Sequence, residues 1–226
     1  MSHIEKYTSY LRETVPLTAA KKIVVDASNG PGGAEARELF TQGSTTALFI
    51  NDTIDPDFSA HGPNPLADNA ADMCIETVKK EGADIGVMFD ADADRAVFID
   101  EKGRVVPGYK IALLLSQGVD GPIVADELIF NILTLLKVEK ITPSPVGSLF
   151  IKKTMRENKK DLGLKDSGHY YFKDFFYADG GLVSLLYLMK KLEMLGVSLG
   201  DFCDSCPQVS VERKNIALAT SWADVE

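Results

Sequence analysis

The chain of 226 residues carries a formal net charge of −9, with 45% hydrophobic and 25% charged residues. These proportions are typical of a globular protein with one large or two small domains, and two domains are slightly favoured. The negative charge argues against nonspecific binding to nucleic acid, because nothing would neutralise phosphates over a broad surface.

No segment predicts a membrane span or an export signal. The longest apolar stretches fall far short of the roughly 20 residues that a spanning helix needs. The N-terminus mixes charges with apolar residues at helical spacing, unlike a signal peptide. The three cysteines, Cys74, Cys203 and Cys206, do not make a disulfide framework. We therefore expect a cytoplasmic protein with no membrane partner.

The first half of the chain predicts alternating helices and strands. Ser2 suits the N-cap of a first helix over 2–14, and Gly43 suits the end of a second helix that follows the turn at 29–33. The other predicted elements are strands at 23–25, 45–51 and 83–90, a helix over 66–82, a hairpin around 101–103 and a helix over 109–118.

The second half repeats this rhythm after a boundary near residue 118. It predicts strands at 122–126, 139–146 and 168–176, with helices over 127–137, 148–160 and 180–195. Strands that alternate with helices form parallel sheets covered on both faces. The predicted fold is therefore α/β, with two consecutive α/β/α domains of mixed, mainly parallel sheets, over residues 1–118 and 119–218.

Residues 90–95 read Asp-Ala-Asp-Ala-Asp-Arg and directly follow an apolar strand. Functional groups collect where the chain leaves the carboxyl ends of parallel strands. Carboxylates this close repel one another unless a cation lies among them, and oxygen ligands suit Mg²⁺. Arg95 adds a planar group that matches a phosphate oxygen. A solvated acidic loop is the alternative, and on chemistry alone the two interpretations are evenly balanced.

The ordered motifs resemble those of the α-D-phosphohexomutases, the phosphomannomutase/phosphoglucomutase family. "FDADADR" is similar to the D-G-D-x-D-R metal loop, and His-Gly-Pro-Asn-Pro at 61–65 is similar to the preceding loop. "DSGHYYFKDFFYADGGL" resembles the third domain, whose sugar loop reads G-E-x-S-G-H. The likeness covers roughly residues 3–218. It implies the central second and third domains of that family, with 219–226 as the start of a linker to a C-terminal domain.

The resemblance also implies site residues. Asp90, Asp92 and Asp94 would hold Mg²⁺, and Arg95 would contact phosphate. Ser167 and His169 would face the sugar or its phosphate, so the implied ligands are hexose phosphate and hexose bisphosphate.

The implied activity is an isomerase reaction by intramolecular phosphoryl transfer. No motif matches the phosphoserine loop, so no catalytic residue is assigned in this chain. We expect this chain alone to be inactive without the family's first and fourth domains, in cis or in trans.

Several positions depart from the family pattern. Lys165 replaces the sugar-loop Glu, Ser148 replaces a frequent His, and Ala91 and Ala93 occupy glycine-type positions. A catalytically inactive paralogue that binds sugar phosphate or metal, or acts as a scaffold, is therefore the alternative. A haloacid dehalogenase-like phosphatase is a weaker third hypothesis, because its Asp-x-Asp follows the first strand of the domain rather than the third.

Three further motifs favour structural interpretations. Cys203 and Cys206 form a lone C-x-x-C, without the four ligands of a structural zinc site. The glycine-rich stretch 28–33 predicts a tight turn rather than a phosphate loop. His61 is expected to pack within its loop rather than to act as a base.

Overall fold

The computed structural model describes residues 2–211, which form two consecutive α/β/α domains. In chain order the elements are α1 (His3–Thr14), β1 (Lys22–Asp26), α2 (Gly32–Leu39), β2 (Thr46–Ile50), α3 (Asp72–Glu81), β3 (Ile85–Phe89), β4 (Ala96–Asp100), α4 (Gly108–Ser116), β5 (Ile123–Asp126), α5 (Glu127–Leu135), β6 (Ile141–Ser144), α6 (Ser148–Glu157), β7 (Leu162–Leu164), β8 (Tyr170–Phe172), β9 (Ala178–Asp179), α7 (Gly181–Leu195) and α8 (Leu199–Ser205). The predicted linker at 219–226, and 212–218 before it, lie outside the described residues.

Both sheets are mixed, with a parallel centre and antiparallel strands at one side. The first has the strand order β2-β1-β3-β4, and only β4 runs antiparallel to its neighbour. The second has the order β6-β5-β7-β8-β9, in which β8 runs antiparallel to both of its neighbours, β7 and β9. The predicted fold class is confirmed.

The two sheets share one hydrophobic core. Alternate side chains of β1, such as Ile23 and Val25, point to a cluster that also contains Ala125 and Leu164 of the second sheet. Helices α1, α2, α4, α5 and α7 contribute side chains to the same cluster. Helix α3 covers the outer face of the first sheet, and α6 covers that of the second. The shared core fixes the relative position of the domains.

The first helix shows why local sequence predicts some boundaries well. Ser2 Oγ accepts a hydrogen bond from the amide of Glu5, and the Glu5 carboxylate accepts one from the amide of Ser2. This capping box satisfies two amide groups that would otherwise lack helical partners. The helix accordingly begins at His3, with Ser2 as its predicted N-cap.

Other boundaries differ from the prediction. Helix α3 begins at Asp72 rather than near 66, because Asn69 adopts φ +62° and the preceding residues form successive turns. Helix α2 ends at Leu39, before Gly43. The predicted hairpin around 101–103 has a single bridge, between Ile99 and Val105, so the main partner of β4 is β3.

The last third of the chain contains short elements that the sequence pattern did not predict. Strand β7 has three residues, including a glycine, and α8 has seven. The predicted strand at 168–176 is divided into β8, a 3₁₀ turn at Lys173–Phe175 and the following residues up to β9. Within residues 2–211, no helix combines the length and apolar character needed to cross a membrane.

Candidate functional site

The acidic loop, residues 90–95, connects β3 to β4 at the carboxyl end of the first sheet. Asp90, Asp92 and Asp94 each place a carboxylate oxygen so that all three oxygens lie within 4.8 Å of one another. Asp90 is 3% exposed, because β3 delivers it directly from the core, whereas Asp92 is exposed. The structure thus brings together the three predicted metal ligands.

Arg95 pairs with the first of these carboxylates. Its Nε lies 2.5 Å from Asp90 Oδ2, and its amide donates to Asp90 Oδ1 at 3.0 Å. Burial opposes ionisation of Asp90, but these two bonds and the positive charge of Arg95 outweigh it and lower the pKa of this carboxyl. Arg95 Nη1 also donates to Asn64 Oδ1 at 3.3 Å. The guanidinium is therefore held at the edge of the acidic loop.

Asp94 lies in the most negative part of the site. Burial raises the pKa of its carboxyl to about 7, helped by the negative charges of Asp90, Asp92 and Asp179. A carboxylate in such surroundings gains more from a bound cation than an isolated surface acid does, because the cation relieves repulsion among several groups. The donor set, with three carboxylates and no sulfur, fits a hard ion such as Mg²⁺.

The two alanines of the acidic loop, Ala91 and Ala93, differ in backbone conformation. Ala93 adopts φ +58°, whereas Ala91 is not among the residues with positive φ. Of these two alanines, only Ala93 therefore lies in the left-handed region, which residues with a Cβ rarely adopt. Backbone strain at the glycine-type positions of this loop therefore falls on Ala93 and not on Ala91.

The glycine-rich turn at 28–33 packs directly under the acidic loop. Ser28 Oγ donates to the carbonyl of Phe89 at 2.5 Å. A Cβ on Gly30 would lie 2.3 Å from the carbonyl oxygen of Ala91, so no larger residue fits without a shift. This close approach gives the turn a structural role, as predicted.

The second sheet contributes the loop from Lys165 to His169. The amide of Lys165 donates to the carbonyl of His169, and the amide of Gly168, at φ +89°, donates to that of Lys165. His169 Nδ1 lies 2.9 Å from Ser167 Oγ, and its Nε2 lies 3.3 Å from Asp94 Oδ1. The predicted residues of the two loops therefore meet at one site.

His169 is neutral at pH 7 in this environment. Burial lowers the pKa of its imidazole to about 4, and the positive charge of Lys165 contributes in the same direction. The ring is nearly parallel to that of Tyr171, at 6° and with 6.3 Å between centroids. These contacts fix the orientation of the imidazole.

Asp179 was missed by the sequence analysis. Its carboxylate lies within 4.8 Å of ligand atoms from Asp94 and His169, and Lys152 Nζ is 2.6 Å from its Oδ1. It is the second residue of β9, a strand of two residues, which is too short for a hydrophobic pattern to predict. The signal that could have found it is the Ala-Asp-Gly-Gly sequence immediately before a long apolar helix.

Two backbone hydrogen bonds join the domains beside this site. The amide of Ala96 donates to the carbonyl of Gly168 at 3.0 Å, and the amide of Gly181 donates to the carbonyl of Ala93 at 2.7 Å.

A cavity of about 460 Å³ adjoins the bond between Ala96 and Gly168, and its lining is mostly apolar, with Phe98, Tyr109 and Tyr170 among its residues. None of the three loop carboxylates lines this cavity.

The cysteine pair does not contribute to the site. Cys203 lies in α8 and Cys206 is the C-cap of this helix, and both are buried free thiols. The clusters of possible metal ligands found within residues 2–211 contain no cysteine.

Comparisons with known proteins agree with this architecture. Residues 4–103 match the phosphoglucomutase/phosphomannomutase alpha/beta/alpha domain II, and residues 117–209 match domain III. A phosphomannomutase of Methanocaldococcus jannaschii is 30% identical over 210 residues, which are 88% of this chain and 46% of that protein. A phosphomannomutase of Escherichia coli K12 is 32% identical over 193 residues, 80% of this chain and 42% of that one.

Solved structures show the same fold. A phosphoglucomutase/phosphomannomutase family protein of Burkholderia thailandensis has a TM-score of 0.81 at 25% identity, over 92% of this chain and 48% of that chain. N-acetylphosphoglucosamine mutase of Aspergillus fumigatus, solved with GlcNAc-6P and magnesium, has a TM-score of 0.62 at 17% identity. The match covers 89% of this chain and 52% of that chain.

The chain spans about half the length of the curated relatives that it matches. Its two domains correspond, in order, to two consecutive domains of one family. The chain belongs to the phosphoglucomutase/phosphomannomutase family, of which it carries domains II and III.

Proposed function

We propose that this chain supplies the Mg²⁺ loop and the sugar-recognition loop of a phosphohexomutase, for intramolecular phosphoryl transfer on hexose phosphates. The observation that supports this most directly is the convergence of Asp90, Asp92 and Asp94 within 4.8 Å at the end of β3, with His169 in contact with Asp94. Bound among these oxygens, Mg²⁺ would neutralise charge on the transferring phosphoryl group.

The proposed roles of this chain's residues are to bind and to orient. Arg95, fixed by Asp90, presents the rest of its guanidinium for a phosphate oxygen. Ser167 and His169 offer polar atoms to a sugar hydroxyl or a phosphate oxygen. Lys165 places a cation beside them, so it can only donate, where a carboxylate would accept hydrogen bonds. We assign the phosphoryl donor to none of these residues.

The remaining partners are part of the proposal. The family's first and fourth domains, in cis or in trans, would complete the cleft, and hexose phosphate or bisphosphate would be the ligand. The division into 1–118, 119–218 and a linker from 219 is proposed on the same basis. The alternative is a catalytically inactive paralogue that binds sugar phosphate or metal or acts as a scaffold, which the cation at Lys165 favours.

Metal binding tests the proposal without requiring turnover. Calorimetric titration with Mg²⁺ should give a measurable affinity for the wild type and a loss of about tenfold or more for Asp92→Asn. Asp120→Asn is the matched control. It removes one exposed acid that precedes β5, at the amino end of this strand, whereas the site lies at the carboxyl ends. Identical, negligible binding by all three proteins would refute the metal role.

Ligand binding separates the two functions. Hexose phosphate should bind the wild type, and Lys165→Glu should change the preference among hexose phosphates if Lys165 contacts the ligand. If Lys165→Glu gains affinity for a hexose phosphate that the wild type does not bind, the inactive-paralogue alternative is supported. If neither protein binds any hexose phosphate or bisphosphate, the proposed sugar loop is wrong.

A further inference from the structure

His61 makes a buried polar contact that the proposed function does not use. Its side chain is 8% exposed, and its Nε2 lies 3.2 Å from Oδ1 of Asp26, which is completely buried at the end of β1. The same oxygen accepts a hydrogen bond from the amide of Ser28, so it is the acceptor here and Nε2 is the donor. Nδ1 is also buried and has no hydrogen-bond partner among the described residues. The polar interaction of this imidazole is therefore directed at Asp26.

Asp26 is a rigid anchor for that contact. It also accepts hydrogen bonds from the amide of Ser28 at 2.9 Å and from Asn51 Nδ2 at 2.9 Å. Its position is fixed by β1, which pairs with β2 on one side and β3 on the other. A buried carboxylate with several donors resists displacement, because moving it would leave charged or polar groups unpaired.

The residues that follow His61 reach the acidic loop. The carbonyl of Pro63 accepts a hydrogen bond from the amide of Ala91 at 3.1 Å, and Asn64 Oδ1 accepts one from Arg95 Nη1 at 3.3 Å. Ala91 separates Asp90 from Asp92, so the orientation of its peptide affects where these two carboxylates point. The contacts form one path from Asp26 through His61 to the acidic loop.

We infer that His61 is a positioning residue for the acidic loop. Its hydrogen bond to Asp26 fixes residues 61–64, and these hold the Ala91 amide and the Arg95 guanidinium in place. The part of this inference that concerns metal and phosphate rests on the proposed function. The part that concerns the conformation of the loop does not.

A pair of polar substitutions tests the inference. Gln places its Nε2 where the imidazole has Nε2, so His61→Gln can still donate to Asp26. Asn is one bond shorter, so His61→Asn cannot reach, although its polarity is the same. The readout is native-state hydrogen exchange of the Ala91 amide, measured by NMR in metal-free protein with EDTA. Amides of β3, such as that of Val87, report global stability in the same experiment.

We expect exchange at Ala91 to be about tenfold faster in His61→Asn than in the wild type, with Val87 unchanged. His61→Gln should stay within about threefold of the wild type. A general loss of stability would accelerate Val87 as well. Equal Ala91 exchange in all three proteins, or acceleration in both variants alike, would overturn the inference.

The affinity for Mg²⁺ gives a second readout. His61→Asn should bind Mg²⁺ about tenfold more weakly than His61→Gln, if Asp90, Asp92 and Asp94 are the ligands. If the wild type binds no Mg²⁺, the proposed function fails, and the exchange experiment still decides whether His61 positions the loop. If Mg²⁺ binds all three proteins equally, His61 does not position the ligands.

Discussion

Nε2 of His169 lies 3.3 Å from Oδ1 of Asp94, so side chains from the two sheets are in direct contact at the candidate site. Their pKa values are shifted in opposite directions: that of Asp94 is raised to about 7 and that of His169 is lowered to about 4. Burial is the main cause of both shifts, since it disfavours the charged form of each group.

The raised pKa of Asp94 predicts a specific dependence of stability on pH. Between its ordinary value of 3.8 and about 7, the folded protein binds more protons at this group than the unfolded chain does. The contribution of Asp94 is therefore fully present at acid pH and is lost as the pH rises through 7.

The variant Asp94→Asn should match the wild type near pH 4 and exceed its free energy of unfolding at pH 8. The expected gain is on the order of 1 kcal/mol after allowance for solvent screening of this partly exposed group. Urea unfolding at a series of pH values in EDTA measures it. An advantage of the variant that is the same at pH 4 and pH 8 would contradict the predicted titration. Only Asp94 is changed in this comparison, because the lowered pKa of His169 affects stability with the opposite sign, between about pH 4 and its ordinary value of 6.5.

Ala93→Gly is predicted to stabilise the protein. Ala93 has φ +58°, a conformation that costs a residue with a Cβ about 1 kcal/mol and glycine very little. We expect a gain of about 0.5–1 kcal/mol in the free energy of unfolding. Ala91→Gly is the control in the same loop, and it should be neutral or destabilising because its φ is not positive. The prediction is wrong if both substitutions change stability equally.

Gly168→Ala is predicted to destabilise the domain contact. Gly168 has φ +89°, and an added Cβ would lie 3.0 Å from the carbonyl oxygen of Ala96. We expect a loss of about 2 kcal/mol, from strain and the weakened bond between Ala96 and Gly168. Gly196→Ala is the control, since it has φ +67° with nothing within 4 Å of the added Cβ. It should cost about 1 kcal/mol, and an equal cost for both would show that the contact with Ala96 is unimportant.

The cysteines are predicted to be unreactive in the folded protein. Burial raises the pKa of the Cys203 thiol to about 12, and it also raises those of Cys74 and Cys206. Since the thiolate is the reactive form, reaction with a disulfide reagent at pH 8 should be about a hundredfold slower than in denaturant. Rapid reaction of any thiol in the native state would contradict this prediction.

Local patterns predicted the long elements well, because their signals lie within one segment. The capping box of Ser2 and Glu5 and the apolar run of β3 are such signals. The start of α3 was mispredicted, because residues 66–71 favour a helix but the left-handed Asn69 and its turns interrupt it. Strand β7 escaped prediction because three residues carry no measurable periodicity.

The site shows the same division between local and distant information. Asp90, Asp92 and Asp94 follow one another along the chain, so their proximity could be read from the sequence. Asp179 and His61 could not be placed in this way. Both depend on contacts between distant segments. Asp179 lies 85 residues after Asp94, and His61 lies 35 residues after Asp26.

The backbone hydrogen bonds from Ala96 to Gly168 and from Gly181 to Ala93 have a consequence for motion. Any hinge rotation of one domain against the other would break main-chain bonds within the candidate site itself. Because one bond is made within the acidic loop, at Ala93, and the other directly after it, at Ala96, the distance between the carboxylates and His169 is set when the chain folds. A ligand bound at this site would therefore meet the two loops as one preassembled surface.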